Sequence, residues 1–205
     1  MGKDDANDGW KPAEIEPIGH WVQSHNGRVI PLPSFDCPES ITLTSTAWVL
    51  AGINRFGART VGSYYNVAHH SVLVARLVRD LGGTVLEQFQ ALNHEGDESL
   101  LGFDPPAPLV RVCPDLRRLK HTAHVAYCNR YGLPIELPEV VKHADAVLLA
   151  TEKRDLMREP PRKWQKLPDP LPDRIEPWTR GAPPRMRFRA RWKVLAAAAG
   201  FEGEE

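Results

Sequence analysis

The sequence predicts an all-α helical bundle with a small N-terminal β-hairpin, and three observations support this. Several stretches place apolar residues at helical spacing, and most are closed by Gly or Pro. One short segment brackets Asn26-Gly27 with Trp21-Val22 on one side and Val29-Ile30 on the other. The 205 residues are 42% apolar and 25% charged, which suits one folded domain with an appendage.

Residues 1–15 read as a polar lead, 16–157 as the helical domain with its hairpin, and 158–205 as a proline-rich segment with a last helix packing on the same domain. In the hairpin, His20–Gln23 and Arg28–Ile30 are the expected strands, and Asn26-Gly27 is the dipeptide that supplies positive φ to a tight turn. A helix is expected over 43–56, where Leu43, Ala47, Leu50, Ala51 and Ile53 form a stripe and Thr42, Thr44 or Ser45 is available as cap. The next runs from Val67 to Leu81 and stops at Gly82-Gly83. Val85–Glu95 reads as a third helix and Gly102–Pro108 as a break. Cys113–Tyr131 is a long polar-faced helix closed by Gly132 and Pro134. Pro138–Leu156 is a fifth, burying Val140, Val141, Ala144, Val147, Leu148 and Leu149. Eight prolines between 160 and 184 preclude regular structure over most of that span, and Arg185–Gly200 resumes a helix.

Composition removes several function classes. The 26 Lys+Arg balance 26 Asp+Glu for a net charge of +0, without the basic surplus expected of a protein that grips a polymeric nucleic acid. Cys37, Cys113 and Cys128 are scattered, so neither a disulfide framework nor a cysteine zinc site is indicated. No stretch approaches the roughly 18 apolar residues a membrane helix needs, and the polar N-terminus lacks a signal peptide's apolar run. A cytoplasmic protein without a membrane partner is expected, and self-association is compatible with it.

His70, His94 with Glu95, and Asp145 come from three different predicted helices, a distribution that lets ligands project into one bundle core. Imidazole with carboxylate suits one divalent ion of Mn, Fe, Co, Ni or Zn, and Mg is also admitted. Each histidine taken singly is more often a packed or capped residue than a ligand. Asp145 is different: flanked by Ala144, Ala146, Val147 and Leu148, its carboxylate needs a cation or donors to offset desolvation. His69 points to another helix face than His70 and is read as a supporting or surface residue. His121 and His124 sit among Arg117, Arg118 and Lys120, which reads as a solvated basic face, as do the cations of Arg185–Lys193 on the last helix; Asp97 is read as a solvated loop charge.

Three blocks carry a resemblance. Tyr65-Asn66-Val67-Ala68-His69-His70-Ser71-Val72, Ala91-Leu92-Asn93-His94-Glu95-Gly96-Asp97-Glu98 and Val141-Lys142-His143-Ala144-Asp145-Ala146-Val147-Leu148-Leu149-Ala150-Thr151-Glu152 occur in the order and character of HD-domain phosphohydrolases, in particular the branch related to 5′-deoxynucleotidases. The hairpin ending in Gly27 and the helix ending in Arg55-Phe56-Gly57 are similar to that branch too, so the resemblance spans most of 20–157. It implies an HD-like bundle with His70, His94, Glu95 and Asp145 at one divalent metal. It further implies Glu98 as the residue that activates water or shapes the site, and Arg55 on the substrate phosphate. Phe56 would pack on the sugar, with Arg59 and Asp104 as further substrate contacts. The implied reaction is hydrolysis of a phosphate ester or anhydride of a small nucleotide, a deoxynucleoside mono- or triphosphate. A nucleotide-binding module with weakened catalysis is the rival.

The chain departs from that family at defined points. Glu95 stands where the family has its name-giving aspartate, which adds a methylene and predicts weakened or altered metal binding. Phe103 stands where relatives have aspartate, with Asp104 one place later. The loop Gly62-Ser63-Tyr64 is about one residue longer than expected, and Trp48 replaces a position that is often histidine. A re-shaped pocket entrance is the expectation.

Overall fold

The apolar stripes close on one another as a helical bundle. The computed structural model describes residues 19–62, 64–164, 166–178 and 181–201, so the lead over 1–15 and Ser63 of the lengthened loop lie outside the described residues. Strands β1 (Trp21–Gln23) and β2 (Val29–Pro31) pair antiparallel with Trp21 opposite Pro31. The connection is a five-residue loop, one residue wider than the expected strands leave: within it Gly27 alone takes positive φ (80°), and the Ser24 hydroxyl bridges the loop by donating to the Arg28 carbonyl at 2.9 Å.

Among the described residues eight α-helices follow: α1 (Leu43–Gly52), α2 (Val67–Asp80), α3 (Val85–Asn93), α4 (Glu98–Leu101), α5 (Ala107–Val112), α6 (Pro114–Tyr131), α7 (Glu139–Leu156) and α8 (Pro184–Ala198). Helix α2 lies at the centre, packed on α1, α3, α7 and α8. It buries Val67, Ala68, Val72, Val74, Ala75 and Val78. Local chemistry fixes the helix starts. The Thr42 hydroxyl accepts from Ser45 N at 3.1 Å, Asn66 Oδ1 accepts from His69 N at 2.9 Å, and Thr84 with Glu87 forms a reciprocal capping box.

Two expected boundaries shift. Helix α1 ends at Gly52, short of the expected 56, because Ile53 and Asn54 turn to extended backbone, and Phe56, Gly57 and Ala58 then adopt positive φ in a short 3-10 segment over Arg55–Ala58. That backbone cannot continue an α-helix. The expected break over 102–108 is narrower than read, with α4 ending at a left-handed Gly102 and α5 beginning after Pro106.

Helix α8 packs back on α1, α2 and α3 through Phe188, Trp192, Leu195 and Ala196. Trp192 Nε1 donates to Asn93 Oδ1 at 3.1 Å, and the same oxygen accepts from Tyr127 Oη at 2.8 Å. Asn93 directly precedes His94, so α6 and α8 together fix the end of α3. No helix among the described residues is long and apolar enough to cross a membrane. All three cysteines are free.

Candidate metal centre

Three of the sequence-nominated residues converge. His70 from α2, His94 at the C-terminal cap of α3 and Asp145 from α7 bring one ligand atom each within 4.8 Å of the others, a group that could hold a metal ion. His70 Nε2 lies 3.2 Å from His94 Nε2 and 3.2 Å from Asp145 Oδ1, which in turn lies 3.8 Å from His94 Nε2.

Hydrogen bonds on the far sides of the rings decide the tautomers. His94 Nδ1 faces the Ala91 carbonyl at 2.7 Å and must donate to it; His70 Nδ1 faces the Glu152 carboxylate at 2.6 Å and donates likewise. In the neutral rings both Nε2 atoms then present lone pairs to one another. Asp145 Oδ1, buried and without a well-aligned hydrogen bond, adds a third acceptor. Three acceptors facing a common point need a cation between them. The donor set of two imidazole nitrogens and a carboxylate oxygen fits a divalent ion.

Arg55 closes one side of the site. An isolated β-bridge between Asn54 and Asn66, with Arg55 N donating to Tyr65 O at 2.8 Å, ties its turn to the start of α2 and so places it beside His70. The buried guanidinium faces Glu152 at 3.3 Å, Glu95 at 3.4 Å and Asp104 at 3.6 Å, and its Nε has no hydrogen-bond partner. Burial opposes charge on Arg55, but the carboxylates of Glu152, Asp104 and Glu95 outweigh it and keep the group cationic. Asp104 Oδ2 also accepts from Phe56 N at 3.2 Å, holding the left-handed turn. Arg59 is exposed and donates to the Phe56 carbonyl at 3.1 Å, which puts it outside the converging group.

Glu95 borders the group of three without joining it. Its Oε1 lies 3.9 Å from His94 Nε2 but faces Arg55, and its Oε2 faces Lys120 Nζ at 3.2 Å. Lys120 Nζ also meets Asp97 at 2.9 Å and Glu98 at 3.1 Å. Burial works against ionisation of Glu95, yet Lys120, His94 and Arg55 hold it well below the usual carboxylate range. Burial and the neighbouring Glu95 charge drive Glu98 the other way, well above that range. Adjacent carboxyls pushed apart in this way leave one ionised and one protonated. For His70, burial and Arg55 disfavour the charged form, but Glu152 and Asp145 prevail and raise it to about 9, so a proton on Nε2 offsets the facing acceptors wherever a metal ion does not displace it.

Several sequence readings are corrected. Lys120 belongs to the buried acidic cluster and not to a solvated basic face; it precedes the fully buried Ala123 and Tyr127 by three and seven residues, so helical spacing carried the signal. Asp97 is 1% exposed rather than solvated, and its carboxylate, with lesser help from Cys128, raises His124 to about 10. His69 is also buried, stacked on Trp178 at 3.6 Å between ring centroids. The arginines of α8 are half-buried: Arg185 lies 4.2 Å over Trp48, Arg187 lies 4.4 Å over Trp178, and Arg191 donates to Gln88. Asp145 is 38% exposed at its side chain, more open than its apolar neighbours suggested. Glu152 was not singled out, although it lies seven residues after Asp145 and thus two helical turns along the same face of α7.

No family model matches the chain. A relative is the "Uncharacterized protein YfdR" of Escherichia coli (strain K12), 36% identical over 118 residues, an alignment covering 58% of this chain. The matched region spans 62% of that relative's length.

Proposed function

We propose that the protein is a metal-dependent phosphohydrolase of the HD type, cleaving a phosphate ester or anhydride of a small nucleotide, a deoxynucleoside mono- or triphosphate. The observation that carries this reading is the convergence of His70, His94 and Asp145 on one point with the buried cation Arg55 alongside. A divalent ion of Mn, Co, Fe, Ni, Zn or Mg held there would supply electrophilic polarisation and a bound water of lowered pKa.

The chain's own groups supply the remaining functions. Glu152 fixes the His70 ring and part of the Arg55 fork through one carboxylate, so the ligand and the phosphate-binding cation share a single orienting residue. Arg55, the cation beside the convergent group, is the charge that would meet a phosphoryl oxygen. Glu98, held protonated beside an ionised Glu95, is the group able to give a proton to a leaving oxygen. Phe56, under the Arg55 guanidinium at 5.4 Å, offers an apolar ring to the sugar.

The test is to load the purified chain with Mn, Co, Mg or Zn and screen nucleotides for released phosphate or pyrophosphate. Turnover that disappears in His70→Ala and Asp145→Ala is expected, and no turnover with any of these metals overturns the hydrolase reading. One observation favours a second reading, a nucleotide-binding module with weakened catalysis: Glu95 is engaged by Arg55 and Lys120 instead of completing the ligand group. Glu95→Asp separates the two. A change in rate or metal preference marks a native enzyme; activity appearing only in the variant marks a native binder.

A further inference from the structure

The proline-rich segment after α7 encloses a cavity of about 640 Å³ that the metal centre does not use. One wall is the C-terminal part of α7, with Ala150 and Lys153 one turn apart and Met157 just beyond the helix end. Arg162, Lys163 and Trp164 also line it, the two cations exposed and the indole half-buried, with Glu159 the single acid among its lining residues. Among the described residues, Lys153, Arg162 and Lys163 make no ion pair, whereas the fourth cation, Arg154, is held by Asp155 and by the carbonyls of Leu171 and Asp173. Lys153 Nζ sits 5.8 Å from the Trp164 ring centroid.

A chain of side-chain contacts runs from the cavity wall to the candidate metal centre. Trp164 is 6.3 Å from Phe56 between centroids, Phe56 lies beneath Arg55, and Arg55 reaches Glu152, which holds His70. Val61 N donates to Leu156 O at 2.7 Å, tying the chain just after the Arg55 turn to the end of α7.

We infer that this cavity is the nucleobase subsite, with Trp164 as its stacking wall and Lys153, Arg162 and Lys163 as its edge-reading donors. The inference rests on the nucleotide reading above. An indole provides a π-face on which any base stacks. Lysine and arginine only donate, so they match bases that present carbonyl and ring-nitrogen acceptors, guanine above all and thymine next, over the amino-bearing edges of adenine and cytosine.

The experiment uses the full chain and the four deoxynucleoside monophosphates. Binding is measured by calorimetry on chelator-treated protein, and KM and kcat on metal-loaded protein. Trp164→Ala is expected to weaken binding and raise KM roughly 10-fold, the scale of one stacked base, with kcat little changed. Trp164→Phe restores most of the loss. The double variant Arg162→Gln, Lys163→Gln is expected to abolish the preference for guanine and thymine. Hydrolysis with a KM indifferent to Trp164→Ala, or a native preference for adenine or cytosine, overturns the subsite and leaves the hydrolase standing. Trp164-dependent binding without hydrolysis does the reverse. Neither binding nor hydrolysis of any nucleotide overturns both.

Discussion

At the residue scale, single carboxylates serve two partners each. Glu152 is fully buried and fixes both the His70 ring and the Arg55 guanidinium, with burial opposing its charge and Arg55 and His70 sustaining it. Glu152→Gln should therefore weaken divalent-metal affinity by about 10- to 100-fold, as loss of a ligand's orienting partner does elsewhere. Competition titration against a chelating dye measures this, and unchanged affinity would refute the orienting role. Lys120 is the counter-charge for Glu95 and Asp97 and also donates to Glu98. Lys120→Met should cost about 3 kcal/mol, the low end for a broken buried pair because 27% of the side chain meets water. Urea unfolding reads it; a loss under about 0.5 kcal/mol, typical of an exposed pair, would place the lysine back on the surface.

At the element scale, the candidate metal centre depends on where helices end. His94 sits at the cap of α3 and Glu95 just beyond it, so the chain turns sharply through Gly96 into α4. A Cβ at Gly96 would lie 2.2 to 2.6 Å from the Tyr127 ring, so α6 packs directly against this turn. Gly96→Ala should cost about 1–3 kcal/mol by overpacking and should perturb His94 with it. If thermal unfolding and metal binding are both unchanged, the close approach is not what holds the turn. Legibility varied by element for physical reasons. Helices α2, α3, α6 and α7 were readable to within about two residues because their stripes and stop signals agree. The end of α1 was misplaced because the Phe56–Ala58 kink is fixed by Asp104 and by the bridge to Asn66, partners far along the chain.

At the scale of the whole molecule, His69 couples the bundle to pH. Burial first, and then the Arg187 charge, lower its pKa to about 3 from an ordinary 6.5. The folded state therefore keeps it neutral while the unfolded chain takes up a proton below 6.5. Its contribution to stability is complete above that pH and is lost as pH falls from 6.5 toward 3, at no more than about 1.4 kcal/mol per pH unit. Denaturant unfolding of His69→Phe, which keeps an aromatic ring against Trp178, should show a flatter acid limb than the native chain; an identical slope would mean that His69 is protonated in the fold. The overall charge of zero likewise conceals a segregated distribution, with an acidic cluster neutralised by Arg55 and Lys120 and, around Trp164, three cations without an ion pair among the described residues.

Local periodicity and local stop signals were sufficient for the helical class and for the hairpin, and three short blocks, each written within a few residues, for naming His70, His94 and Asp145. Which groups face the site was decided by the fold alone. Glu152, Lys120 and Asp97 acquire their roles from partners on other helices, and Glu95 is turned toward Arg55 and Lys120 by charges that lie 40 and 25 residues away in the chain. Electrostatic attraction and burial act through space, so tertiary packing had to set them.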